Sequence, residues 1–589
     1  MFKETDRQAP LFGVDSQMTD KQREKLSDTW ASTFARDIFP ILLDVEADFA
    51  DLYDDRMGRP AKSIARRLGI CVLQHMFDLD DQRALDMLLY DSRWQYALGY
   101  AADEDPYLSR RSLLDFRARL VDIDPQMTRI EALFVRVRDE AMEALEVDPS
   151  VQRIDSTLIK SNIREQGRVG LVAMTLRHFL DELRKQRDDA LDQLPKELVK
   201  WAQAADERGW FTAPKNKSER RKRLVVLGGW LAEVISAFAA DKEINSWESF
   251  TCVARVLEEH FETADEPDPE PPSGGIESDT VTKEAKATSS SQNNDLASSP
   301  PPKSEELDSA KGMTSKSSAE NPSTQTKPRL RNHAVSQRED GTTLQSPYDP
   351  DAAKGHKGVG YMVHVSETCK NEDKPEIVIT YHIETANQAD QNKSQILIDD
   401  QKSQGVGLTR MYADQGYMTP TAIEAANDEG VDLYGPTTIT TYDREEVLGR
   451  DDFEWSEDGK IESCPAGHQP IDHRMRTWDD KEKYLYAFFD ADTCDSCPFQ
   501  EHCVTRRKGG QSYLTLVPKL RKRDELVASQ RHKEWWDDYQ IRSGVEATIS
   551  ELKRAHGMRK LRVRRMPKVK MAVGLKMTAC NVKRWVKSA

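Results

Sequence analysis

Long apolar runs are absent from this sequence. No stretch of about 18 apolar residues occurs, so no membrane-spanning helix is predicted. Residues 1–6 lack the apolar segment of a secretory signal, and we therefore expect a cytoplasmic protein. Aromatic residues make up only 7% of the chain and apolar residues 38%, whereas charged residues make up 32%. This balance predicts folded domains together with at least one disordered stretch.

Cysteine is also scarce, and half of the eight cysteines are scattered singly along the chain. The other four form a cluster, namely Cys464, Cys494, Cys497 and Cys503. In a reducing cytosol, such a cluster of thiols is more typical of a metal site than of a disulfide framework. The spacing predicts a structural zinc ion, with His468 and His502 as alternative ligands, that holds a small β-rich insertion together. Free thiols near a turn are the alternative.

A uniform excess of one charge is missing as well. The net charge of −16 argues against nucleic-acid binding, but residues 551–589 contain thirteen Lys or Arg and one acidic residue. A local patch decides nucleic-acid contact more than the chain total does, so this basic end is predicted to contact DNA phosphates. A solvated helix face is the alternative. The basic residues concerned include Lys553, Arg559, Lys560, Arg562, Arg564 and Arg565.

The first 145 residues have the apolar spacing of helices. Ile64, Leu68, Cys71, Val72 and Met76 recur at helical intervals, and Ser109 or Ser112 is expected to cap a later helix. Basic residues are interleaved with these stripes: Arg59, Lys62, Arg66, Arg67, Arg110, Arg111, Arg117 and Arg119. The pattern fits a helical DNA-binding domain and, equally, a helical bundle with a charged surface.

The rest of the chain alternates between β-prone and helical segments. Residues 151–159 predict a strand with Asp155 near its end, and residues 165–262 look helical. Residues 263–345 are rich in Ser, Pro and charged residues and are predicted to be disordered. Two strands, which could pair as a hairpin, follow at 360–365 and 376–383. A strand, helix and strand over 408–434 then indicate a partly parallel sheet.

Four polar residues share one face of a helix predicted over residues 532–555. Tyr539, Arg542, Glu546 and Lys553 are separated by three, four and seven residues, beside an apolar stripe that includes Val545 and Ile549. Alone, this arrangement would usually be a surface salt-bridge face. Asp155 and Asp414 each follow a β-prone segment, where a turn or a helix cap would be the usual explanation.

Taken together, these residues resemble the DDE transposases of bacterial insertion sequences. The motif Tyr539-x2-Arg542-x3-Glu546-x6-Lys553 is similar to the segment around the catalytic glutamate of that family. The segments 155–157 and 412–417 resemble the motifs around the first and second aspartates. The residues at 349–352 and 360–361, the helical N-terminal region and the basic end are similar too.

The resemblance implies an α/β fold with a ribonuclease-H-like catalytic core. The expected units are an N-terminal helical DNA-binding domain (1–145), the core (146–164, 346–459 and 511–589), a helical insertion (165–262), a disordered linker (263–345) and a zinc-ribbon-like insertion (460–510). The first aspartate is expected on the central strand, the second on a neighbouring strand and the glutamate on a helix. An inserted segment explains the long interval between the two aspartates, because long loops cost little additional entropy.

The resemblance also implies the chemistry. Asp155, Asp414 and Glu546 would hold two Mg²⁺ or Mn²⁺ ions, which prefer oxygen ligands, for phosphoryl transfer during DNA cleavage and strand transfer. Arg542 and Lys553 would contact DNA phosphates, and Tyr539 would position the strand end. The expected partners are double-stranded terminal inverted repeats and target DNA, bound by a homo-oligomer at the bacterial nucleoid, with no membrane partner.

Two other functions are compatible with the same residues. One is a catalytically silent relic that binds DNA, for example as a repressor, although a decayed copy has no reason to keep three carboxylates. The other is a stand-alone metal-dependent nuclease that cuts without joining ends. Terminal inverted repeats flanking the gene would favour the active transposase.

Overall fold

The computed structural model describes residues 2–8, 10–54, 61–203, 215–263, 328–437, 448–456, 458–478, 482–516 and 521–588. As predicted, the fold is mixed α/β, with a helical N-terminal region and a C-terminal region that contains sheets. Within the described ranges, no helix combines the length and the apolar character that crossing a membrane requires.

Among the described residues, eight α-helices form the N-terminal region. They span Asp20–Ser27, Trp30–Thr33, Phe39–Asp44, Ile64–Met76, Asp81–Tyr90, Ser92–Ala97, Arg110–Ile123 and Thr128–Ala144. The stripe predicted between Ile64 and Met76 is buried. Ser109, rather than Ser112, caps the helix Arg110–Ile123, since its hydroxyl accepts a hydrogen bond from the Ser112 backbone N–H at 3.2 Å.

A six-stranded sheet lies at the centre of the second region. The strands described up to residue 434 are β1 (Val151–Ile159), β2 (Phe261–Thr263), β3 (Pro328–Leu330), β4 (Ala353–Gly355), β5 (Gly358–Thr368), β6 (Val378–Thr385), β7 (Arg410–Tyr412) and β8 (Asp432–Tyr434). The sheet has the order β6-β5-β1-β7-β8, with β4 beside β5. The predicted β5–β6 hairpin is confirmed, as is the parallel pairing of β7 with β8.

Helices cover both faces of this sheet. On one face, Leu552 and Val573 belong to a core with Ile159 and Val365, which brings the helices Val545–Ala555 and Met566–Ser588 onto the sheet. On the other face, the helices Lys393–Ser403 and Pro420–Asp428 pack around Ile154. Because side chains alternate along a strand, Arg153, Asp155 and Ile159 share the face covered by Val545–Ala555.

The helical segment between β1 and β5 has a core of its own. Its helices, in the part of the chain that the structure describes, are Arg168–Gln186, Lys196–Gln203, Lys217–Phe238, Lys242–Asn245 and Glu248–His260. Of the segment predicted to be disordered, residues 264–327 lie outside the described residues. Residues 328–345 are described and pack on this unit: β3 pairs with β2, and the buried Leu344 donates its backbone N–H to Glu259 at 2.7 Å.

A small β-rich unit contains the clustered cysteines. Its strands are β9 (Glu454–Trp455), β10 (Ile461–Ser463), β11 (Asp472–Trp478), β12 (Glu482–Phe489), β13 (Arg506–Lys508) and β14 (Gln511–Leu516), with a short helix at Ala491–Asp495. Four of these strands form a sheet in the order β11-β12-β14-β13. Phe453, Phe489 and Leu514 belong to its separate apolar core.

The last helix, Met566–Ser588, completes the core of the N-terminal helices. Met571, Leu575, Ala579, Val582 and Trp585 belong to the same buried cluster as the N-terminal apolar side chains. The N-terminal region therefore shares its core with the C-terminal end of the chain.

Candidate active site

The central sheet brings the two candidate aspartates to neighbouring strands. Asp155 lies in the middle of β1, not near its end, and faces Val365 of β5. Asp414 follows β7, which runs parallel to β1 with Arg153 beside Tyr412. Each carboxylate accepts the backbone N–H of the next residue at 2.7 Å, which fixes its direction at the sheet.

Glu546 reaches the same place from a helix. The single helix predicted over residues 532–555 is wrong in detail, because a 3₁₀ turn at Gln540–Gly544 separates the helices Lys533–Tyr539 and Val545–Ala555. The buried residues of the second helix include Val545, Ile549 and Leu552, and the helix packs against β1. Glu546 is in its first turn and points its carboxylate to solvent.

One guanidinium joins the three carboxylates. Arg542 lies 2.9 Å from Asp155 and 3.9 Å from Asp414 through the same nitrogen, Nη2, and 3.7 Å from Glu546 through Nη1. The Asp155 side chain is only 18% exposed, whereas those of Asp414 and Glu546 are 55% and 68% exposed. Burial raises the pKa of the Asp155 carboxyl, against the opposing effect of Arg542. The site is thus a set of oxygen donors around one positive charge, open on one side.

A buried ion-pair network holds the turn that carries Arg542. Arg153 of β1 donates to the Ile541 carbonyl at 2.9 Å and to Glu367 of β5 at 2.8 Å. The fully buried Glu367 also accepts hydrogen bonds from Thr548 and, at 3.2 Å, from Arg584. Since these contacts connect two strands to the Glu546 helix and to the last helix, they fix the spacing of the three carboxylates.

Tyr539 packs beside the site through an aromatic stack. Its ring stacks on Trp535 with centroids 5.3 Å apart, and Trp535 stacks on Tyr434 at 4.8 Å. The Tyr539 hydroxyl donates to the Ala413 carbonyl at 3.1 Å, one residue before Asp414. In this structure Tyr539 therefore supports the Asp414 loop, while its predicted contact with a strand end is untested.

Lys357 lies beside the candidate site, although the sequence analysis did not single it out. It lies in the turn between β4 and β5, and its Nζ donates to the Ser156 hydroxyl at 3.0 Å, next to Asp155. Burial, followed by the nearby charges of Lys357 and Arg559, lowers the pKa of Lys553. Three cations thus gather beside the carboxylates. The available signal was the resemblance at 349–352 and 360–361, two segments that lie on either side of Lys357.

The predicted DNA-binding residues of the basic end fall into two groups. Arg562 donates to the Asp78 and Leu79 carbonyls, Arg564 donates to the Asn162 carbonyl at 2.6 Å, and Arg565 forms an ion pair with Glu248. These contacts attach the segment to the rest of the protein. For Arg559 and Lys560, the described residues offer no such side-chain partner, so both charges remain open to an anion.

The basic residues of the N-terminal helices have mostly intramolecular partners. Arg66 donates to the Gly99 carbonyl at 2.7 Å, Arg117 pairs with Asp81 at 2.7 Å, and Arg119 donates to the Leu52 carbonyl at 3.2 Å. Arg59 lies outside the described residues. Structural roles thus account for a large part of the interleaved charge in this region.

The four clustered cysteines line one cavity of the small β-rich unit. His468 lines it too, and Phe489 belongs to both the cavity wall and the apolar core behind it. Burial raises the pKa of the Cys494 thiol, and Cys503 and Cys464 are close enough to contribute. The four sulfur atoms do not include three within 4.8 Å of one another, so in the structure they are neighbours with an open space between them.

Two segments of the chain match known family models. Residues 23–119 match a transposase domain (DUF772), and residues 463–586 match a transposase DDE domain. These two matches indicate a DDE-type transposase of an insertion sequence. No match was found among the curated proteins, and none among the solved structures.

The extent of the matches matters for the site. The DDE-domain match includes Glu546 and the four clustered cysteines, whereas Asp155 and Asp414 lie outside both matched segments. The assignment of the two aspartates therefore depends on the geometry around Arg542.

Proposed function

We propose that this transposase binds the terminal inverted repeats of its insertion sequence and catalyses DNA cleavage and strand transfer at Asp155, Asp414 and Glu546. The observation that supports this most directly is the contact of one guanidinium, Arg542, with all three carboxylates. Carboxylates from a central strand, a neighbouring strand and a helix match the arrangement that a ribonuclease-H-like core implies.

The donor set fits divalent metal ions. All three side chains offer carboxylate oxygens as ligands. They already surround one positive charge, the guanidinium of Arg542. Asp155, Asp414 and Glu546 would hold two Mg²⁺ or Mn²⁺ ions, which supply charge stabilisation to in-line displacement at phosphorus. Arg542, which lies 2.9 Å from Asp155, would contact a DNA phosphate beside the same carboxylates.

The cations around the carboxylates would hold the substrate. Lys357, Lys553 and Arg559 lie on the side of Asp155, and phosphate oxygens are their natural partners. Tyr539 and the Arg153–Glu367 pair keep the loop and the turn in position. The protein would act as a homo-oligomer, because two DNA ends must be brought together.

We also propose that the clustered cysteines hold a structural zinc ion. Four thiols around one cavity match the ligand type and number of such a site, and binding would draw the sulfur atoms together. The apolar core behind the cavity would support this small unit, which lies between Asp414 and Glu546 in the chain.

Cleavage of labelled DNA carrying the element's terminal repeats tests the proposal. The wild type, with Mg²⁺ or Mn²⁺, should cut at the repeat ends. Asp414→Ala and Glu546→Ala should bind the same DNA without cutting it, while the exposed Asp537→Ala should behave as the wild type. If both site variants cut normally, the site assignment is wrong. A wild type that binds the repeats and never cuts would favour the silent DNA-binding relic, and cutting without strand transfer would favour a nuclease.

A further inference from the structure

A second group of potential metal ligands lies on the far end of the Glu546 helix. Among the described residues, one set of three ligand atoms from Cys, His, Asp or Glu falls within 4.8 Å of one another, and it consists of Glu551, His556 and Cys580. Glu551 is on the helix Val545–Ala555, His556 ends that helix, and Cys580 is on the last helix. This set is separate from Asp155, Asp414 and Glu546.

The imidazole of His556 is oriented like that of a metal ligand. The residue is fully buried, and its Nδ1 donates to the His75 carbonyl at 3.0 Å, because a carbonyl can only accept. A ring whose Nδ1 carries the proton presents the lone pair of Nε2. That Nε2 is buried and has no hydrogen-bond partner. A backbone carbonyl behind a histidine is a usual support for a metal-binding imidazole.

The other two ligands face the same point. The Glu551 Oε1 lies 3.9 Å from the His556 Nε2. The second carboxylate oxygen, Oε2, is occupied by Arg584, which donates to it at 3.0 and 3.2 Å, so Oε1 is the oxygen left over. Cys580 is fully buried and brings the sulfur.

We propose that Glu551, His556 and Cys580 form a binding site for a zinc ion. One sulfur, one imidazole nitrogen and one carboxylate oxygen suit zinc and exclude a preference for magnesium. The thiol binds as thiolate and releases its proton to solvent. Three protein ligands leave a fourth position for water, and Glu551 is the partly exposed member of the set. The ion would link the helix Val545–Ala555, which carries Glu546, to the last helix, Met566–Ser588. It would thereby stabilise the position of the helix that contributes Glu546 to the candidate active site.

Zinc content of the full-length protein is the first test. After saturation with Zn²⁺ and dialysis, Cys580→Ala and Glu551→Gln should each contain about one equivalent less per chain than the wild type. Cys252→Ala is the matched control, because Cys252 is also buried in a helix but belongs to no such group. Added Zn²⁺ should raise the melting temperature more for the wild type than for Cys580→Ala.

A second measurement separates this site from the clustered cysteines. A variant with all four clustered cysteines replaced by serine should still bind about one Zn²⁺, and X-ray absorption should find a single sulfur among its ligands. This result is independent of DNA cleavage. If Cys580→Ala keeps the full zinc content, or if the four-serine variant binds none, the proposal is overturned and a purely structural contact of His556 with Glu551 becomes the better account.

Discussion

Gly544 gives the sharpest test of how the turn before Glu546 is held. Its backbone angles, φ −60° and ψ −26°, suit any residue, so backbone strain does not require glycine here. The restriction is space: a Cβ would lie 2.0 Å from Nη1 and 2.4 Å from Cζ of Arg153. The guanidinium has little freedom to retreat, because it is also bound to the Ile541 carbonyl and to Glu367.

The expected free-energy change follows from these contacts. Gly544→Ala must displace Arg153, which costs about 3 kcal/mol through a lost charged hydrogen bond and a strained buried ion pair. Alanine stabilises the fold by at most about 1 kcal/mol relative to glycine, because it lowers the conformational entropy of the unfolded chain. The net result is a destabilisation of about 2 kcal/mol. Gly229→Ala is the matched control, since nothing lies within 4 Å of its added Cβ, and it should stabilise by about 0.5–1 kcal/mol.

Denaturant unfolding and DNA cleavage together measure the effect. Gly544→Ala should unfold at lower denaturant concentration than the wild type, and Gly229→Ala at higher. Cleavage by Gly544→Ala should fall by at least about tenfold at unchanged DNA affinity, because the turn sets the distance from Arg542 to Asp155. If Gly544→Ala is stabilised as Gly229→Ala is, and cuts at the normal rate, then Arg153 does not hold this turn and the reasoning fails.

Three further results are expected. Lys357→Ala should slow cleavage by about tenfold or more, whereas the exposed Lys354→Ala on the same hairpin should not; equal rates would remove Lys357 from the site. Acidification should destabilise the helical unit, because burial lowers the pKa of His260 to about 4 from an unfolded value of about 6.5. Because the folded state favours neutral His260, the contribution of this residue to the free energy of unfolding is fully present above pH 6.5. That free energy should fall by about 2 kcal/mol at pH 5. The His260→Asn variant should show a weaker pH dependence of the melting temperature. Cys497→Ala should lose the structural zinc and become sensitive to proteolysis within 460–510, and an unchanged zinc content would remove Cys497 from the ligands.

Local patterns predicted the parts of the fold that depend on neighbouring residues. The helix Ile64–Met76, the β5–β6 hairpin and the parallel pairing of β7 with β8 follow from apolar periodicity and from the order of the elements. The mixed α/β class was predictable for the same reason.

The rest depends on long-range contacts that spacing does not reveal. The residues 540–544 keep helical spacing, yet they form a 3₁₀ turn, because Arg153 from β1 takes the Ile541 carbonyl. Asp155 lies in mid-strand because β1 continues to Ile159 along β5. Residues 331–345 look disordered by composition, but Leu344 is buried against the helical unit by a contact with Glu259.

The candidate site was predictable only in part. The identity and spacing of Asp155, Asp414 and Glu546 came from the resemblance to a family, and their assignment remains a prediction that the cleavage experiment tests. Local sequence patterns did not indicate Lys357, because only the folded turn between β4 and β5 brings its Nζ to the Ser156 hydroxyl. The division of the basic end into anchored and open residues likewise depends on distant partners, such as Glu248 for Arg565.

The shared core of the two ends of the chain has a consequence for synthesis. The N-terminal helices are synthesised long before the apolar side chains from Met571 to Trp585 that complete their core. Until then the nascent chain exposes an apolar surface, and contacts of such large sequence separation form slowly. The N-terminal helices can therefore complete their core only after the last helix, Met566–Ser588, has been synthesised.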